Sequence, residues 1–270
     1  MYKGGVSIMT TFLVFIPMIL NNYSPPVYDP PNINANKGIA LVEPYLQDLD
    51  SVGATWYYTW THYPKPTADE RYIPMSYYGL FDDNLPVDYD GFVLFLNEPN
   101  SPAPFGSEIS PRVAADRYVA FVTARPNAKL VVGNCSAWSH GWYLYFVVEL
   151  MENYPDAPLP EYYGFHGYIE SYITPQQLDD WWYTSQRVIE QVGGQPVEVW
   201  VTEFADTTGD TESLTDLMDV IQSKEYITRF AYFTNRYDPT QPYIPDGWHD
   251  FNLIEDDGTL SPVGAIYAQR

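Results

Sequence analysis

The sequence predicts a single closed (β/α)8 barrel, a fold in which eight parallel strands are surrounded by helices. Extended apolar runs alternate with helical segments, and 270 residues suffice for one such barrel. Two of the runs end in glutamates, Glu98 and Glu203, where strand gives way to loop. Alternation alone also fits a doubly wound sheet. The two acids favour the barrel, because its active face is built from the loops that follow the strands.

Eight strands are predicted from these runs. The fourth, GFVLFLNEPN, carries Glu98 after a continuous apolar stretch, and the seventh, VEVWVTEFAD, carries Glu203. In the second, ATWYYTW, the side chains of Trp56, Tyr58 and Trp60 share one face because side chains alternate along a strand. The predicted ranges are 38–44, 54–60, 71–79, 91–98, 128–134, 161–170, 197–203 and 226–235.

Helices are predicted between the strands from capping residues and apolar periodicity. Ser110 followed by Pro111 is a typical helix start, and Thr174-Pro-x-Gln177 is a capping box. Gly53 and the Gly193-Gly194 pair are typical helix ends. The alternation is expected to continue through all eight strands, which specifies a closed parallel barrel.

Composition excludes several classes of function. The chain has 13 basic and 35 acidic side chains and a net charge of −22, which argues against binding nucleic acid or an anionic membrane. An uncharged polysaccharide remains compatible, and the aromatic content of 17% suits stacking on sugar rings. Cys135 is the lone cysteine, so no intrachain disulfide can form, and no Cys/His spacing indicates zinc. No cofactor or metal is expected.

The N-terminus is predicted to lie outside the barrel. Residues 1–20 contain one lysine followed by a mostly apolar run, which is typical of a signal peptide or a short anchor. Residues 21–35 are rich in Pro and Asn and are predicted to be a linker. The catalytic domain is therefore expected over 36–270, in a secreted, monomeric protein with no stable membrane partner apart from that anchor.

Six motifs resemble one known family. TWYYTW, YIPMSYYG, FLNEPN, YYGFHGY, VWVTEF and AYFTN, in this order and spacing, resemble the catalytic domain of glycoside hydrolase family 128, a barrel family with acids after strands four and seven. The tail NLIEDDGTLSPVGAIYAQ is similar to that family's closing hairpin and last helix. The resemblance implies retaining endo-acting cleavage of β-1,3-glucan, with Glu98 as general acid/base and Glu203 as nucleophile.

Further side chains are predicted to bind the sugar. Asn97 lies beside the acid, where its amide can bind a sugar hydroxyl, and His166 and Tyr168 are placed to orient a carboxylate or bind a hydroxyl. The candidates for sugar contact through aromatic rings are Trp56, Tyr58, Trp60, Tyr77, Trp138 and Tyr232. At Tyr77 and Tyr232 the family usually has Trp.

Two alternatives stay open. The same pair of acids can cleave another β-linked polymer, such as a different β-glucan, a mannan or a galactan. A barrel that binds carbohydrate without turnover is the alternative from another functional class. The retained acids favour an enzyme over a binding protein.

Overall fold

A computed structural model describes residues 36–42, 45–61, 69–80, 85–170, 172–236 and 251–270. Eight parallel strands form one sheet in the order β2-β1-β8-β7-β6-β5-β4-β3. The predicted (β/α)8 barrel is confirmed. The predicted signal segment and linker, residues 1–35, lie outside the described residues. No helix in the described ranges is long and apolar enough to cross a membrane.

The strands are mostly shorter than predicted. Proline 74 interrupts the third run, so its strand has two residues, whereas the seventh strand is the longest. The strands are β1 Lys37–Ala40, β2 Trp56–Tyr58, β3 Met75–Ser76, β4 Phe92–Phe95, β5 Lys129–Cys135, β6 Tyr162–Ile169, β7 Glu198–Asp206 and β8 Ile227–Phe233.

The sheet closes between β2 and the segment that leads into β3. Tyr57 and Tyr72 form a parallel bridge, in which the Tyr57 amide donates to the Arg71 carbonyl and the Ile73 amide donates to the Tyr57 carbonyl. These hydrogen bonds join β2 to the segment before β3 in place of a β2–β3 ladder, which the two-residue β3 is too short to form. The carboxyl ends of all eight strands therefore surround one opening.

Six helices are described, and the second and third strand connections differ from the prediction. Within the described ranges, no helix lies between β2 and β3 or between β3 and β4, where the eightfold alternation predicted one each. The predicted caps at Ser110 and Thr174 are confirmed, the second as a full capping box with Gln177. The helices are α1 Leu46–Val52, α2 Pro111–Ala124, α3 His140–Asn153, α4 Pro175–Gly193, α5 Thr211–Ser223 and α6 Pro262–Gln269.

Aromatic side chains fill the amino-terminal end of the barrel. The ring of Trp200 lies 5.5 Å from that of Trp56 and 4.7 Å from that of Phe92, and the Arg229 guanidinium lies 4.6 Å above it. Their packing closes this end of the barrel. Reactive groups can therefore meet a substrate only at the opposite, carboxyl end.

The tail forms the predicted closing hairpin and last helix. Ile254 and Leu260 form an antiparallel bridge, and Gly258 takes a φ of 88° in the turn between them. Ser261 then caps α6 by accepting from the amide of Gly264, and Tyr267 of α6 donates its hydroxyl to the Gly38 carbonyl of β1. The end of the chain is thereby joined to the first strand.

Candidate active site

Glu98 lies on a tight turn beyond β4. The predicted strand was to reach Glu98, but β4 ends at Phe95, and both Leu96 and Glu98 adopt left-handed backbone conformations with φ of 73° and 41°. Such angles are strained for side chains other than glycine and persist only where neighbouring contacts hold them. The Glu98 amide donates to the Asn134 carbonyl at 3.0 Å, and the Ser107 amide donates to the Asn97 carbonyl at 2.9 Å. These bonds fix the turn that presents the Glu98 carboxyl.

Glu203 lies within β7, three residues before the strand ends at Asp206, and not at the strand's end as predicted. In the ladder it pairs with His166 of β6, immediately after a register shift. Glu203 is buried and its side chain is 7% exposed, compared with 13% for Glu98. A rigid central strand therefore holds the more enclosed of the two carboxyls.

Several donors surround the Glu203 carboxyl. Oε1 accepts from the hydroxyl of Tyr58 at 2.7 Å and from the indole Nε1 of Trp60 at 2.9 Å, and Oε2 accepts from the hydroxyl of Tyr168 at 2.5 Å. Burial, reinforced by the charge of Glu203, raises the pKa of both tyrosine hydroxyls well above the usual range, so they remain donors. Hydrogen bonds to an ionised carboxylate are the stronger kind. This shell holds Glu203 in one orientation.

His166 lies between the two carboxyls. Its Nδ1 is 2.9 Å from Oε1 of Glu98 and 3.3 Å from Oε2 of Glu203, and the side chain is fully buried. Burial opposes a charged imidazole, but the charge of Glu203 and the hydrogen bond and charge of Glu98 outweigh it, so the pKa of His166 is raised. An imidazolium here reduces the repulsion between the carboxylates.

The three side chains bring their reactive atoms close together. A carboxylate oxygen of Glu98, a ring nitrogen of His166 and a carboxylate oxygen of Glu203 all lie within 4.8 Å of one another. That spacing is also compatible with a divalent cation. In the structure, however, these groups bond to one another and to Tyr58, Trp60 and Tyr168. The chemistry they offer without further groups is proton transfer and nucleophilic attack by a carboxylate.

Asn97 and Tyr77 lie together beside the turn of Glu98. The Asn97 amide nitrogen and the Tyr77 hydroxyl both donate to the carbonyl of Phe105, at 3.4 and 3.1 Å. Oδ1 of Asn97 is buried and has no hydrogen-bond partner among the described residues. An amide oxygen left unpaired next to a reactive carboxyl is a candidate acceptor for a substrate hydroxyl.

Three of the aromatic side chains predicted to contact sugar are buried in the structure, which corrects the prediction of sugar contact for Trp56 and Tyr232 and of ring stacking for Tyr58. Trp56 is 2% exposed at the closed end of the barrel, where its indole donates to the Asn36 carbonyl. Tyr232 is fully buried against Phe204 and Tyr267 and donates to the carbonyl of Phe251. Tyr58 is also fully buried, so its ring offers no face for stacking.

The other aromatic side chains predicted to contact sugar stay predictions, and each of them is at least partly exposed. Trp60, Tyr77 and Tyr168 are partly exposed, and Trp138, in the loop after β5, is 56% exposed. Trp138 also has a φ of 68°, a conformation that side chains rarely adopt. An exposed indole on a constrained loop at the carboxyl end is suited to stacking on a sugar.

Sequence reasoning missed two buried polar residues at the site, Asn134 of β5 and Thr202 of β7. Asn134 is bonded to the turn of Glu98, and Thr202 directly precedes Glu203. The available signal was the Gly133-Asn134 pair at the end of an apolar strand, since both residue types tolerate positive φ.

A cavity of about 690 Å³ lies away from the glutamates, at the amino-terminal ends of β5 and β6. It is lined by residues that include Tyr118, Lys129, Tyr154, Glu161 and Tyr162. The cleft that holds Glu98 and Glu203 opens at the other end of the barrel. The convergence of reactive groups, and not cavity volume, therefore locates the candidate active site.

Comparison with known proteins identifies the family of the chain. A family model described as "Glycosyl hydrolase catalytic core" matches residues 43–267. No curated protein matches the chain. Among solved structures, a glycoside hydrolase family 128 (subgroup II) endo-β-1,3-glucanase from Sorangium cellulosum is 23% identical, with a TM-score of 0.62 over 86% of this chain and 97% of that one.

Two further structures have the same fold. A family 128 (subgroup I) endo-β-1,3-glucanase variant from Amycolatopsis mediterranei, in complex with laminaritriose and laminaribiose, is 18% identical, with a TM-score of 0.65 over 87% of this chain and 98% of that one. An oligosaccharide-binding protein (subgroup VII) from Trichoderma gamsii is 16% identical, with a TM-score of 0.56 over 92% and 97%. The chain therefore belongs to the glycosyl hydrolase catalytic core family, as its resemblance to glycoside hydrolase family 128 predicted, and is a glycoside hydrolase.

Proposed function

We propose that this glycoside hydrolase is a retaining endo-β-1,3-glucanase in which Glu98 is the general acid/base and Glu203 the nucleophile. The observation that carries the proposal is the proximity of the two carboxyls, whose oxygens come within 4.8 Å of each other and share His166. Retaining enzymes have carboxyls about 5–5.5 Å apart, whereas inverting enzymes leave about 6.5–9.5 Å for a water molecule.

The surroundings of the two carboxyls support the assignment of roles. Glu203 is held by Tyr58, Trp60 and Tyr168, which suits an ionised nucleophile that must meet the anomeric carbon in one orientation. Glu98 bonds to His166 and is the more exposed of the pair. That position suits a group that gives a proton to the leaving oxygen and later takes one from water.

In the proposed reaction, Glu98 takes the proton held by His166 and donates it to the glycosidic oxygen while Glu203 attacks the anomeric carbon, so that the glycosidic bond breaks and a glycosyl ester forms. Glu98, now ionised, accepts a proton from an incoming water, whose oxygen bonds to the anomeric carbon and displaces Glu203. Both displacements invert the anomeric carbon, so the product retains its configuration. Oδ1 of Asn97 is proposed to accept from a sugar hydroxyl during these steps.

The choice of β-1,3-glucan rests on the similar structures. Those from Sorangium and Amycolatopsis are described as endo-β-1,3-glucanases, the latter in complex with laminaritriose and laminaribiose. The similar oligosaccharide-binding protein keeps binding without turnover as the second candidate. The converging Glu98, His166 and Glu203 favour the enzyme.

The test is reducing-sugar release from laminarin and from a panel of other β-glucans, mannan, xylan and galactan. We expect release from β-1,3-glucan alone, with short oligosaccharides as first products, and loss of activity in Glu98→Gln and Glu203→Gln. Glu170→Gln is the matched control, because Glu170 directly follows β6 on the same face of the barrel. Cleavage of another polymer would identify that polymer as the substrate in place of β-1,3-glucan. Binding without cleavage by the wild type would favour the second candidate.

Azide separates the two roles. With Glu98→Ala and an aryl β-glycoside, azide should restore turnover and give a β-glycosyl azide, because it attacks the glycosyl-enzyme. With Glu203→Ala it should give the α-glycosyl azide by direct displacement. The reverse pattern would exchange the two assignments.

Secretion is proposed on the sequence alone. The apolar run in residues 1–20 supports an export signal. Expression of the full chain with its N-terminus should place the protein outside the cell, and retention of the whole product in the cytoplasm would contradict export.

A further inference from the structure

Two β-bulges lie next to the glutamates, and their extra residues meet across the sheet. In β5, Gly133 pairs with Gly164 and Cys135 with Phe165, so Asn134 is the extra residue. In β7, the register on β6 passes from Val201 to Glu203, so Thr202 is the extra residue. The hydroxyl of Thr202 donates to Oδ1 of Asn134 at 2.9 Å, and both side chains are fully buried. Bulges next to active sites commonly re-aim a side chain.

Asn134 is bonded to the turn that carries Glu98. Its amide nitrogen donates to the Leu96 carbonyl at 2.9 Å, with longer contacts to the carbonyls of Phe95 and Val131, and its own carbonyl accepts from the Glu98 amide at 3.0 Å. The Leu96 carbonyl and the Glu98 amide belong to the turn after β4, where the chain adopts left-handed angles. Asn134 alone therefore provides hydrogen-bond partners for the backbone on both sides of Asn97.

Gly164 of β6 provides the space for this contact. β6 lies between β5 and β7, so the Asn134 side chain must cross it to reach Thr202. A Cβ at residue 164 would lie 2.0 Å from Oδ1 of Asn134, closer than any side chain can approach. The Asn134–Thr202 hydrogen bond therefore requires glycine at this position of the middle strand.

The bulge in β5 is supported from outside the barrel. Tyr143 of α3 accepts from the Cys135 amide at 3.2 Å and donates its hydroxyl to the carbonyl of Gly164. These two backbone groups lie at the register shift, and a single hydroxyl satisfies both. The bulge is thus held from α3 as well as from within the barrel.

We propose that Asn134 and Thr202 form an internal strut that sets the relative position of Glu98 and Glu203. Asn134 fixes the backbone of the Glu98 turn, and Thr202 is joined to Glu203 by one peptide bond. The hydrogen bond between Asn134 and Thr202 therefore links the Glu98 turn to Glu203. The inference rests on the proposed double displacement, in which the acid and the nucleophile act on opposite sides of one glycosidic bond. Asn134 and Thr202 are positioning residues, since neither side chain reaches the substrate.

Removal of the strut should reduce turnover more than substrate binding. Misplacing a reacting group by about 1 Å can cost on the order of 100-fold in rate. We expect kcat on laminarin to fall about 10- to 100-fold in Thr202→Val, with KM changed less than about twofold. Thr202→Ser keeps the hydroxyl and should keep near wild-type kcat.

Thr207→Val is the matched control for the loss of a buried hydroxyl. Thr207 lies one residue beyond β7, is buried, and donates its hydroxyl to the Ile169 carbonyl at 2.8 Å without bonding to the Glu98 turn or to Glu203. The melting temperatures of Thr202→Val and Thr207→Val should fall similarly, while only Thr202→Val should lose kcat.

Asn134→Asp tests the other end of the strut. Aspartate tolerates left-handed backbone angles and keeps an acceptor for Thr202, but it cannot donate to the Leu96 carbonyl. If this donor holds the Glu98 turn, the loss should be greater on a 4-nitrophenyl laminaribioside than on its 2,4-dinitrophenyl analogue, whose leaving group needs less protonation.

The outcomes separate this proposal from the proposed function. A wild-type protein that cleaves none of the polymers or glycosides overturns both. A wild type that turns over, with Thr202→Val as active as the wild type or no less active than Thr207→Val, overturns the strut alone. Should Asn134→Asp fail to fold, the three threonine variants still decide the question.

Discussion

Replacement of His166 should change how the stability of the protein depends on pH. The imidazole is fully buried, with Nδ1 2.9 Å from Glu98 and 3.3 Å from Glu203, and despite burial the two carboxylates raise its pKa. Between the unfolded value of about 6.5 and the raised value, the folded protein holds a proton that the unfolded chain has released. The proton's contribution to stability is therefore complete below about pH 6.5 and is lost as the pH rises through the folded-state pKa.

The magnitude follows from linkage. One extra proton in the folded state makes the free energy of unfolding fall by up to about 1.4 kcal/mol per pH unit within that window. His166→Gln has no such proton. The difference in unfolding free energy between wild type and variant should therefore shrink with rising pH and level off above the folded-state pKa.

The assay is urea unfolding of both proteins at intervals from pH 5.5 to 9, followed by tryptophan fluorescence. Subtracting the two curves removes the contribution of the titrating groups that do not contact His166. His140→Gln, at the exposed first residue of α3, controls for the loss of a histidine outside the cluster. Parallel stability curves for wild type and His166→Gln would refute the reasoning, because His166 would then not hold the extra proton.

Three further predictions concern single contacts. Tyr58→Phe removes the 2.7 Å donor to Glu203 and should lower kcat about 10-fold or more, since hydrogen bonds to charged groups contribute about 1.5–3 kcal/mol; an unchanged kcat would contradict this. Gly164→Ala places a Cβ against Asn134 and should lower the free energy of unfolding by about 1–3 kcal/mol in urea titrations; an unchanged free energy of unfolding would contradict this. Trp138→Ala should raise KM for laminarin by about 3- to 10-fold while Trp138→Phe raises it less, and equal KM values for all three proteins would exclude a sugar contact.

The fold and the two acids could be predicted because their signals are local. Apolar runs at strand spacing, the cap at Ser110 and the capping box at Thr174 each report their own element. Glu98 and Glu203 follow such runs directly, and the carboxyl ends of barrel strands face one opening. Local pattern and chain order were therefore enough to bring the two acids together.

The roles of the aromatic side chains could not be predicted in the same way. Trp56, Tyr58 and Trp60 share one face of one run, yet Trp56 packs at the closed end, Tyr58 is buried against Glu203, and Trp60 is partly exposed. Alternation gives the face of a strand but not the depth within the barrel, which depends on strand length and stagger. Sequence therefore predicted which rings point inward but not which of them reach a substrate.

The bulges explain why the distance between the two carboxyls could not be predicted from sequence pattern either. A bulge changes the register by one residue and leaves no consistent pattern of hydrophobicity, so Thr202 appears in the sequence as an ordinary member of its strand, and only the Gly133-Asn134 pair indicates the bulge in β5. Without the bulge in β7, Glu203 would occupy a different pairing position relative to His166, because a one-residue shift exchanges the two faces of a strand. The carboxyl that Tyr58, Trp60 and Tyr168 surround would then not point at these donors. The catalytic geometry thus depends on irregular features of the strands, and hydrogen bonds from Asn134 and Tyr143 stabilise the irregularity in β5.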